Sequence, residues 1–587
     1  MRMTELPYPA HGPKLRFALM AHVAGLPDFA ARAIAAIRDL AEPVLVILDE
    51  APPRRSDWKE KVKKAVRLEA NLWHLQNRLF PVHRIPAYRT RPIEECLPGV
   101  PVLRCQVTRK GKWSEYFSAE DIARIAAHDL DFVLKFAYGI IRGEILSVAR
   151  YGIWSYHHDD EEKYRGGPPA FWEICRGDRV TGAMLQRINE VLDKGVVLKK
   201  IFVPTAGTSY RANLQRILEA SIPMIRWVCL DILHGRLDRI EGPASASKAP
   251  IYRAPNDWQM LQFWLRLARN RIREKLDNQR VDEWNVGLVR AAPQRFLEEG
   301  FRPDVSWSRY REKDQMVADP CLVPGGEQLR LLCEEFDWFS ESGRILEMRA
   351  AADGSLGWGV AAIDEPAHMS YPYVFEADGT VYCIPECAQR REIPLYRWDP
   401  EEGQWRRDGT LLDGLAALDP TVFEAFGAWW LLHSLDEGAG PWSLYVWRAD
   451  HFRGPWTPHP ANPVKIDVTS ARPAGRPFWF EGRLYRPAQD CRRSYGGALV
   501  IHRIEELSLE RFEEVPVRRI LPDPSWRYRD GFHTLNGCGP WTVIDAKRHR
   551  WPPGLILKRF LWKRLGLPRR RAFRYRGGFR LLPSRLG

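Results

Sequence analysis

The chain has 587 residues, 45% hydrophobic and 28% charged, which is too long for one hydrophobic core and fits two or three globular domains. No run approaches the ~18 apolar residues of a membrane span, and the ten cysteines form no CxxC pair or finger spacing. The net charge of +14 sits at the end, because residues 547–587 hold fourteen Lys and Arg and no Asp or Glu.

In chain order, Leu15–Met20 reads as a strand, the segment from Pro27 to Ile37 as a helix and Val44–Leu48 as a second strand. No basic start leads into an uninterrupted apolar core, so no signal peptide is expected and a cytoplasmic location is. Residues 57–79 carry a charged helical pattern, and Val100–Leu103 is a short strand. Ser118 with Asp121 marks the start of a helix ending near His128. Asp131–Lys135 then reads as a buried strand running into Tyr138-Gly139. This alternation predicts a doubly wound, mainly parallel sheet with ligands at the carboxyl ends of its strands. Residues 210–234 read as one long amphipathic helix, Ala244–Ser247 as linker-like and 257–277 as helical. From Glu283 short strands rich in Trp, Tyr and Phe take over, such as Leu329–Cys333, Trp429–Leu432 and Leu444–Trp447. Turns at Asp353-Gly354, Asp378-Gly379 and Glu481-Gly482 divide them, which predicts an all-β sandwich, barrel or propeller. Gly357–Ala362 matches a dinucleotide fingerprint but lies in β-rich sequence, so it reads as turn and strand.

The residues that name a chemistry lie between 155 and 195. Ser155-x-His157 is followed by Arg165-Gly166 and Pro168, then Thr181-Gly182, then Asp193-x-Gly195. Upstream stands Ala137-Tyr138-Gly139-Ile140, at a strand end. This ordered series resembles the active-site signature of the folate-dependent formyltransferases, over residues 14–235. The resemblance implies a Rossmann-type α/β fold and transfer of a formyl group from 10-formyltetrahydrofolate to a primary amine. It implies that His157 stabilises the developing oxyanion, and that Asp193 orients it and accepts the amine proton. Ser155 stands where the family has Asn, as the third catalytic position. Ala137, Tyr138, Gly139, Ile140, Arg165, Gly166 and Pro168 would border the folate, the glycines letting backbone approach it closely.

Ser155 departs from the pattern. Its hydroxyl is one donor on a shorter arm, and losing a donor of this kind costs ~2.7–4 kcal/mol in other enzymes. His158 is a second donor that would compensate. The run Asp159-Asp160-Glu161-Glu162 replaces a neutral family segment and reads as a solvated loop, or as one that meets an ammonium-bearing substrate. A divalent metal on His157-His158-Asp159-Asp160 is the other reading. Adjacent residues share a ligand sphere poorly, so no metal is expected.

Further on, Ala318-Asp319-Pro320, Ser370-Tyr371-Pro372, Leu418-Asp419-Pro420-Thr421 and His533-Thr534 recur at wide spacing, as the innermost strands of a propeller would. Pro385-Glu386, Gly454-Pro455-Trp456, His459-Pro460-x-Asn462-Pro463, Arg472-Pro473-Ala474-Gly475 and Gln489-Asp490 complete the set. Together they resemble a glycosidase-like five-bladed propeller of the kind found at the N-terminus of glucosamine inositol phosphorylceramide transferases, over roughly residues 285–545. The resemblance implies a sugar-binding channel with Asp319, Glu386, Asp419, Arg472 and His533 as substrate residues. The same acids would serve hydrolysis as base, acid and tuning carboxylate. A purely structural role, pairing with Arg472 or His533, is the third reading.

The expected organisation is therefore a formyltransferase-like α/β domain (14–235), a helical linker (236–282), an all-β five-bladed propeller (283–546) and a basic amphipathic tail (547–587). The tail mixes apolar and basic residues at helical spacing over 554–565 and suits a peripheral contact with anionic membrane. RNA and a solubilising role compete there. The whole reads as an N-formyltransferase acting on an amino sugar carried on a nucleotide or lipid, with nucleic acid not expected as a partner and the oligomeric state open. Its rivals are methionyl-tRNA formylation and a glycan-binding or glycosidase propeller beside a degenerate formyltransferase domain.

Overall fold

The computed structural model describes residues 13–49, 71–110, 114–310, 314–326, 328–351, 354–357, 359–552 and 554. The helix expected over 57–70, Asp353, Trp358 and the basic tail beyond 554 lie outside the described residues. The chain separates between Arg271 and Ile272 into two units.

In the first unit, strands β1 (Leu15–His22), β2 (Ala41–Asp49), β3 (Val102–Cys105), β4 (Phe132–Lys135), β5 (Ile153–His157), β6 (Val180–Arg187) and β7 (Val196–Pro204) form one sheet in the order β7-β6-β5-β4-β1-β2-β3. Strands β1 to β5 are mutually parallel, while β6 and β7 are added antiparallel. The order reverses between β1 and β4. Such a switch point opens a crevice beyond the strand ends. Phe17 stacks on Phe132 at 5.2 Å, and Phe132 on Trp154 at 4.1 Å. This buried ladder of rings ties β1, β4 and β5 together three residues before His157, and so fixes the strand end that carries the motif.

The helices used below are α1 (Asp28–Ala35), α2 (Asn71–Leu79), α3 (Ala119–Ala126), α4 (Trp172–Arg176), α5 (Tyr210–Ser221), α6 (Met224–Leu233) and α7 (Asp257–Asp277). Helix α3 starts where the sequence placed it, with the Asp121 N–H donating to Ser118 Oγ at 3.0 Å. The single helix expected over 210–234 is instead two, α5 and α6. Pro223 separates them, because it has no N–H to donate and its ring blocks the preceding turn. Beyond the linker-like Ala244–Ser247, Ile251–Tyr252 forms a short strand that pairs in parallel with Arg165–Gly166.

The second unit is a ring of five sheets. The first blade is Gln315–Val323, Arg330–Asp337, Ser342–Arg349 and Val360–Ile363. The second runs from Ser370–Ala377 to Gln404–Asp413, the third from Ala417–Ala425 to Thr457–Pro458 and the fourth from Phe478–Phe480 to Phe512–Ile520. The fifth joins both ends of the unit. Leu535–Cys538 and Trp541–Arg550 supply its inner strands, and Val281–Val289 and Val305–Trp307 its outer ones. This is a five-bladed β-propeller closed by strand pairing between its beginning and its end. The fingerprint-like run ends in Val360–Ile363, a strand of the first blade.

The closing strand reaches Arg550, beyond the point where charge alone set the start of the tail. Lys547 is fully buried there, with Nζ 2.7 Å from Asp282. Among the described residues no helix is long and apolar enough to cross a membrane.

Candidate active site and channel

His157 ends β5, and Asp193 sits in the turn between β6 and β7. The structure brings His157 Nδ1 to 3.7 Å from Asp193 Oδ1. On its other side the ring contacts the Tyr164 carbonyl through Nε2 at 2.9 Å. With Nε2–H donating to that carbonyl, Nδ1 is turned toward the carboxylate. Asp193 is itself held in place. Its Oδ2 accepts the Gly166 N–H at 2.7 Å, and Gln186 Nε2 lies 3.5 Å from Oδ1. Its φ of +50° is a left-handed conformation that a non-glycine residue adopts at a cost of about 1–3 kcal/mol.

The motif glycines serve this geometry. A Cβ on Gly195 would lie 2.2 Å from the Arg187 carbonyl, and one on Gly166 2.2 Å from that of Tyr252. Both residues let the chain pass close to its own backbone, which gives glycine a reason within the fold at each position. Arg165 is likewise spent on backbone. Its guanidinium donates to Leu192 O at 2.6 Å and to Ala249 O at 3.4 Å, bracing the turn before Asp193. Pro168 follows a cis peptide bond in the same loop. Thr181 is buried in a network with Thr205 and Asn213 at 2.9 and 3.2 Å.

Ala137, Tyr138, Gly139 and Ile140 follow β4 at the switch point. Tyr138 has a φ of +66°, its ring packs on Phe117 at 5.1 Å, and its buried hydroxyl has no hydrogen-bond partner among the described residues. An orphaned hydroxyl and a left-handed residue at this edge fit a loop that receives a polar ligand. The Gly139 N–H donates to Glu115, which also pairs with Arg109 at 3.1 Å.

Ser155 and His157 share one face of β5, two residues apart, and Ser155 lies opposite Gln186 in the register with β6. Its hydroxyl comes no closer than 3.5 Å to the Tyr156 carbonyl. His158 does not compensate. It points to the opposite face, where it meets Ser221 Oγ at 3.2 Å and stacks on Tyr156, and burial beside His157 pushes it down to about 3. Nor is the acidic run a free loop. Asp160, Glu161 and Glu162 converge on Lys200 Nζ at 3.0, 2.9 and 3.6 Å, and Asp159 is buried against the Ala170 N–H at 2.8 Å.

Three residues at this site carry no motif signal. Gln186 braces Asp193 and also accepts the Gly195 N–H at 3.2 Å. Lys135 ends β4, donates to the Tyr138 carbonyl at 3.3 Å, and is lowered by burial against the opposing pull of Glu115 and Asp193. Glu173 in α4 has both carboxyl oxygens buried with no donor among the described residues. Burial raises it to about 8, and burial together with the nearby Glu173 carboxyl raises Asp159 well above its ordinary value.

In the propeller, Asp319, Tyr371 and Asp419 each precede a proline, each adopt a left-handed φ between +42° and +52°, and each sit at a bulge in the first strand of their blade. The bulge turns the side chain out of the ladder. Asp319 Oδ1 lies 3.2 Å from His533 Nε2, and His533 Nδ1 2.7 Å from Asp545 Oδ1. Asp545 also accepts the backbone N–H groups of Asp319 and Thr534 at 2.9 and 3.0 Å. Asp419 is held by Arg472 and by Gln489 Nε2 at 2.8 Å, and its N–H donates to Glu386 Oε2 at 2.9 Å. The five residues singled out from the sequence thus form two linked clusters. Gln489, from the quoted Gln489-Asp490 pair, joins the second cluster, and Asp545 joins the first unannounced by any motif.

The family model described as "Glucosamine inositolphosphorylceramide transferase 1, N-terminal" matches residues 305–536. Glucosamine inositolphosphorylceramide transferase 1 of Oryza sativa subsp. japonica is 35% identical over 243 residues, covering 40% of this chain and 31% of the relative. The chain therefore spans about a third of the length of that relative. Methionyl-tRNA formyltransferase of Paraburkholderia phymatum is 30% identical over 243 residues, covering 40% of this chain and 67% of the relative. The solved sugar 3N-formyl transferase WlaRD covers 41% of this chain and 70% of its own at 11% identity and a TM-score of 0.25, too low a likeness to bear on the ligand. Both curated relatives are transferases by name. In its N-terminal half the chain belongs to the formyltransferase family, and fused to that half is a propeller similar to the N-terminal domain of glucosamine inositolphosphorylceramide transferase 1.

Proposed function

We propose that the first unit transfers a formyl group from 10-formyltetrahydrofolate to the primary amine of a sugar on a nucleotide or lipid carrier. The observation that carries this reading is the approach of His157 to Asp193 at 3.7 Å, at the carboxyl end of β5, the strand next to β4 at the switch point. When bound, 10-formyltetrahydrofolate supplies an electrophilic formyl carbon. The Ala137–Ile140 loop would hold it. With Nε2–H kept on the Tyr164 carbonyl, His157 would donate from Nδ1, in its protonated form, where negative charge develops on the formyl oxygen. Asp193 orients the imidazole and holds the proton that the attacking amine gives up. Ser155, on the face of His157, supplies at most one weak further donor. The propeller, by its likeness to a domain of a glucosamine transferase, supports a sugar acceptor held through Asp319, Glu386, Asp419, Arg472 and His533. A cytoplasmic chain whose basic tail touches anionic membrane would suit a lipid-carried acceptor.

Methionyl-tRNA is the second reading, favoured by the name of the bacterial relative. The test is incubation with 10-formyltetrahydrofolate and, in parallel, nucleotide-linked amino sugars, lipid-linked amino sugars and methionyl-tRNA, followed by mass spectrometry. A formyl mass gain on an amino sugar, lost in His157→Ala, is the expected result. A gain on methionyl-tRNA alone would favour the second reading, and none on any amine would overturn both.

A further inference from the structure

Helices α2 and α7 of the first unit turn large apolar side chains outward. In α7, Met260, Phe263 and Leu267 are buried, whereas Trp258, Leu261 and Leu265 are 67%, 43% and 71% exposed. Spacings of three and four residues set these last three in one row along the helix. In α2, Trp73 packs on Phe171 and Tyr210 at 5.3 and 5.9 Å. Leu75 and Leu79, four residues apart, and Phe80 just beyond the helix end are 47%, 59% and 57% exposed.

The two helices are joined side by side. The Asp257 carboxylate accepts the Leu72 N–H at 2.8 Å and Asn71 Nδ2 at 3.1 Å, and Trp264 Nε1 donates to Gln76 at 2.7 Å. Both rows therefore belong to one pair of adjoining helices. Exposed apolar residues are ordinary when scattered singly, and six on two joined helices mark an interaction surface.

The charge around this surface has one sign. Residues 71–93 contain four Arg and no Asp or Glu, and residues 258–271 contain three Arg and no Asp or Glu. Asp257, beside Trp258, is buried and spent on the start of α2. A symmetric contact with a second copy would set these arginines against themselves. The basic tail, with fourteen Lys and Arg and no acid over 547–587, carries the same sign and is repelled. Trp, Phe and Leu flanked by arginine alone match the plane of an anionic bilayer, where the rings and aliphatic chains enter the headgroup–acyl boundary and each guanidinium meets phosphate.

We propose that the first unit docks on an anionic lipid surface through the outward faces of α2 and α7, with Leu75, Leu79, Phe80, Trp258, Leu261 and Leu265 as the inserted residues. This contact is separate from the tail and stands apart from the formyl-transfer reading.

The experiment uses the full chain as Leu261→Cys, labelled with an environment-sensitive nitrobenzoxadiazole dye. The unsubstituted chain, taken through the same labelling, gives the background of its own cysteines. Vesicles are phosphatidylcholine alone or an equal mixture of phosphatidylcholine and phosphatidylglycerol. On the anionic vesicles the label is expected to shift to the blue and to be quenched by doxyl-labelled lipid. On the neutral ones it should stay in water. Trp258→Glu with Leu265→Glu, both at exposed positions and with the tail intact, is expected to weaken vesicle binding about tenfold or more. No vesicle binding by the folded chain would overturn the proposal. So would a label that stays in water on vesicles that do bind the chain, which would assign the contact to the tail. Unchanged affinity in the double variant, or a dimer in sedimentation that the same variant dissolves, would also overturn it, the latter in favour of a second copy.

Discussion

Ser155 departs from the formyltransferase signature that the sequence resembles, and its position on β5 makes the difference testable. It shares a face with His157 and lies across from Gln186, so a longer amide there would project beside the imidazole. Ser155→Asn is expected to raise the single-turnover rate of formyl transfer by about 10- to 100-fold, within the ~2.7–4 kcal/mol such a donor contributes. An unchanged or lower rate would show that Ser155 is adapted to its own geometry. Glu173 makes a second residue-level prediction. Its folded value, about 8, stands above its ordinary 4.5 because burial disfavours charge. The stability it contributes is therefore fully present below about pH 4.5 and is lost as pH rises through about 8. The denaturant midpoint of the wild type should fall across that window, by about 1 kcal/mol per pH unit, and flatten in Glu173→Gln. A wild type with a flat profile would place Glu173 in wetter surroundings than the structure gives it.

The closing blade is the element whose stability is most exposed to a single change. Its outer strand Val281–Val289 and inner strand Trp541–Arg550 come from opposite ends of the propeller, and Lys547 bridges them through Asp282 and the Tyr495 carbonyl at 2.7 and 2.6 Å. Lys547 holds Asp282 well below its usual range despite burial. Lys547→Ala leaves the buried Asp282 carboxylate with His549, 2.8 Å from its Oδ1, as its remaining partner, so a loss of about 1–3 kcal/mol is expected in urea unfolding followed by Trp fluorescence. A loss below about 1 kcal/mol would mean that water reaches Asp282. The sequence could not show this pair. Lys547 stands first in a run of basic residues, and only strand pairing across 265 positions reveals it as core. Pro223, by contrast, was legible as a helix breaker and was outweighed by the apolar pattern on either side of it. The blades themselves were readable, because Asp319, Tyr371 and Asp419 each precede proline at matching positions.

Across the whole molecule, what the sequence disclosed was order, and what it hid was distance. The series from Ser155 to Gly195 named a chemistry, and the structure closes it into a contact between His157 and Asp193. Gln186, Lys135 and Asp545 had no motif to announce them, because their roles arise from residues far away in the chain that the fold brings beside them. The acidic run after His157 suggested a ligand, yet Lys200, forty residues beyond Asp160, already neutralises part of it. Formyl transfer requires first of all a working folate site in the N-terminal half. Calorimetric titration of the full chain with 5-formyltetrahydrofolate, a stable analogue of the donor, addresses it most directly. Saturable binding with one site per chain is the expected result. No binding by folded protein would contradict the formyl-transfer reading and leave the propeller as the place where function lies.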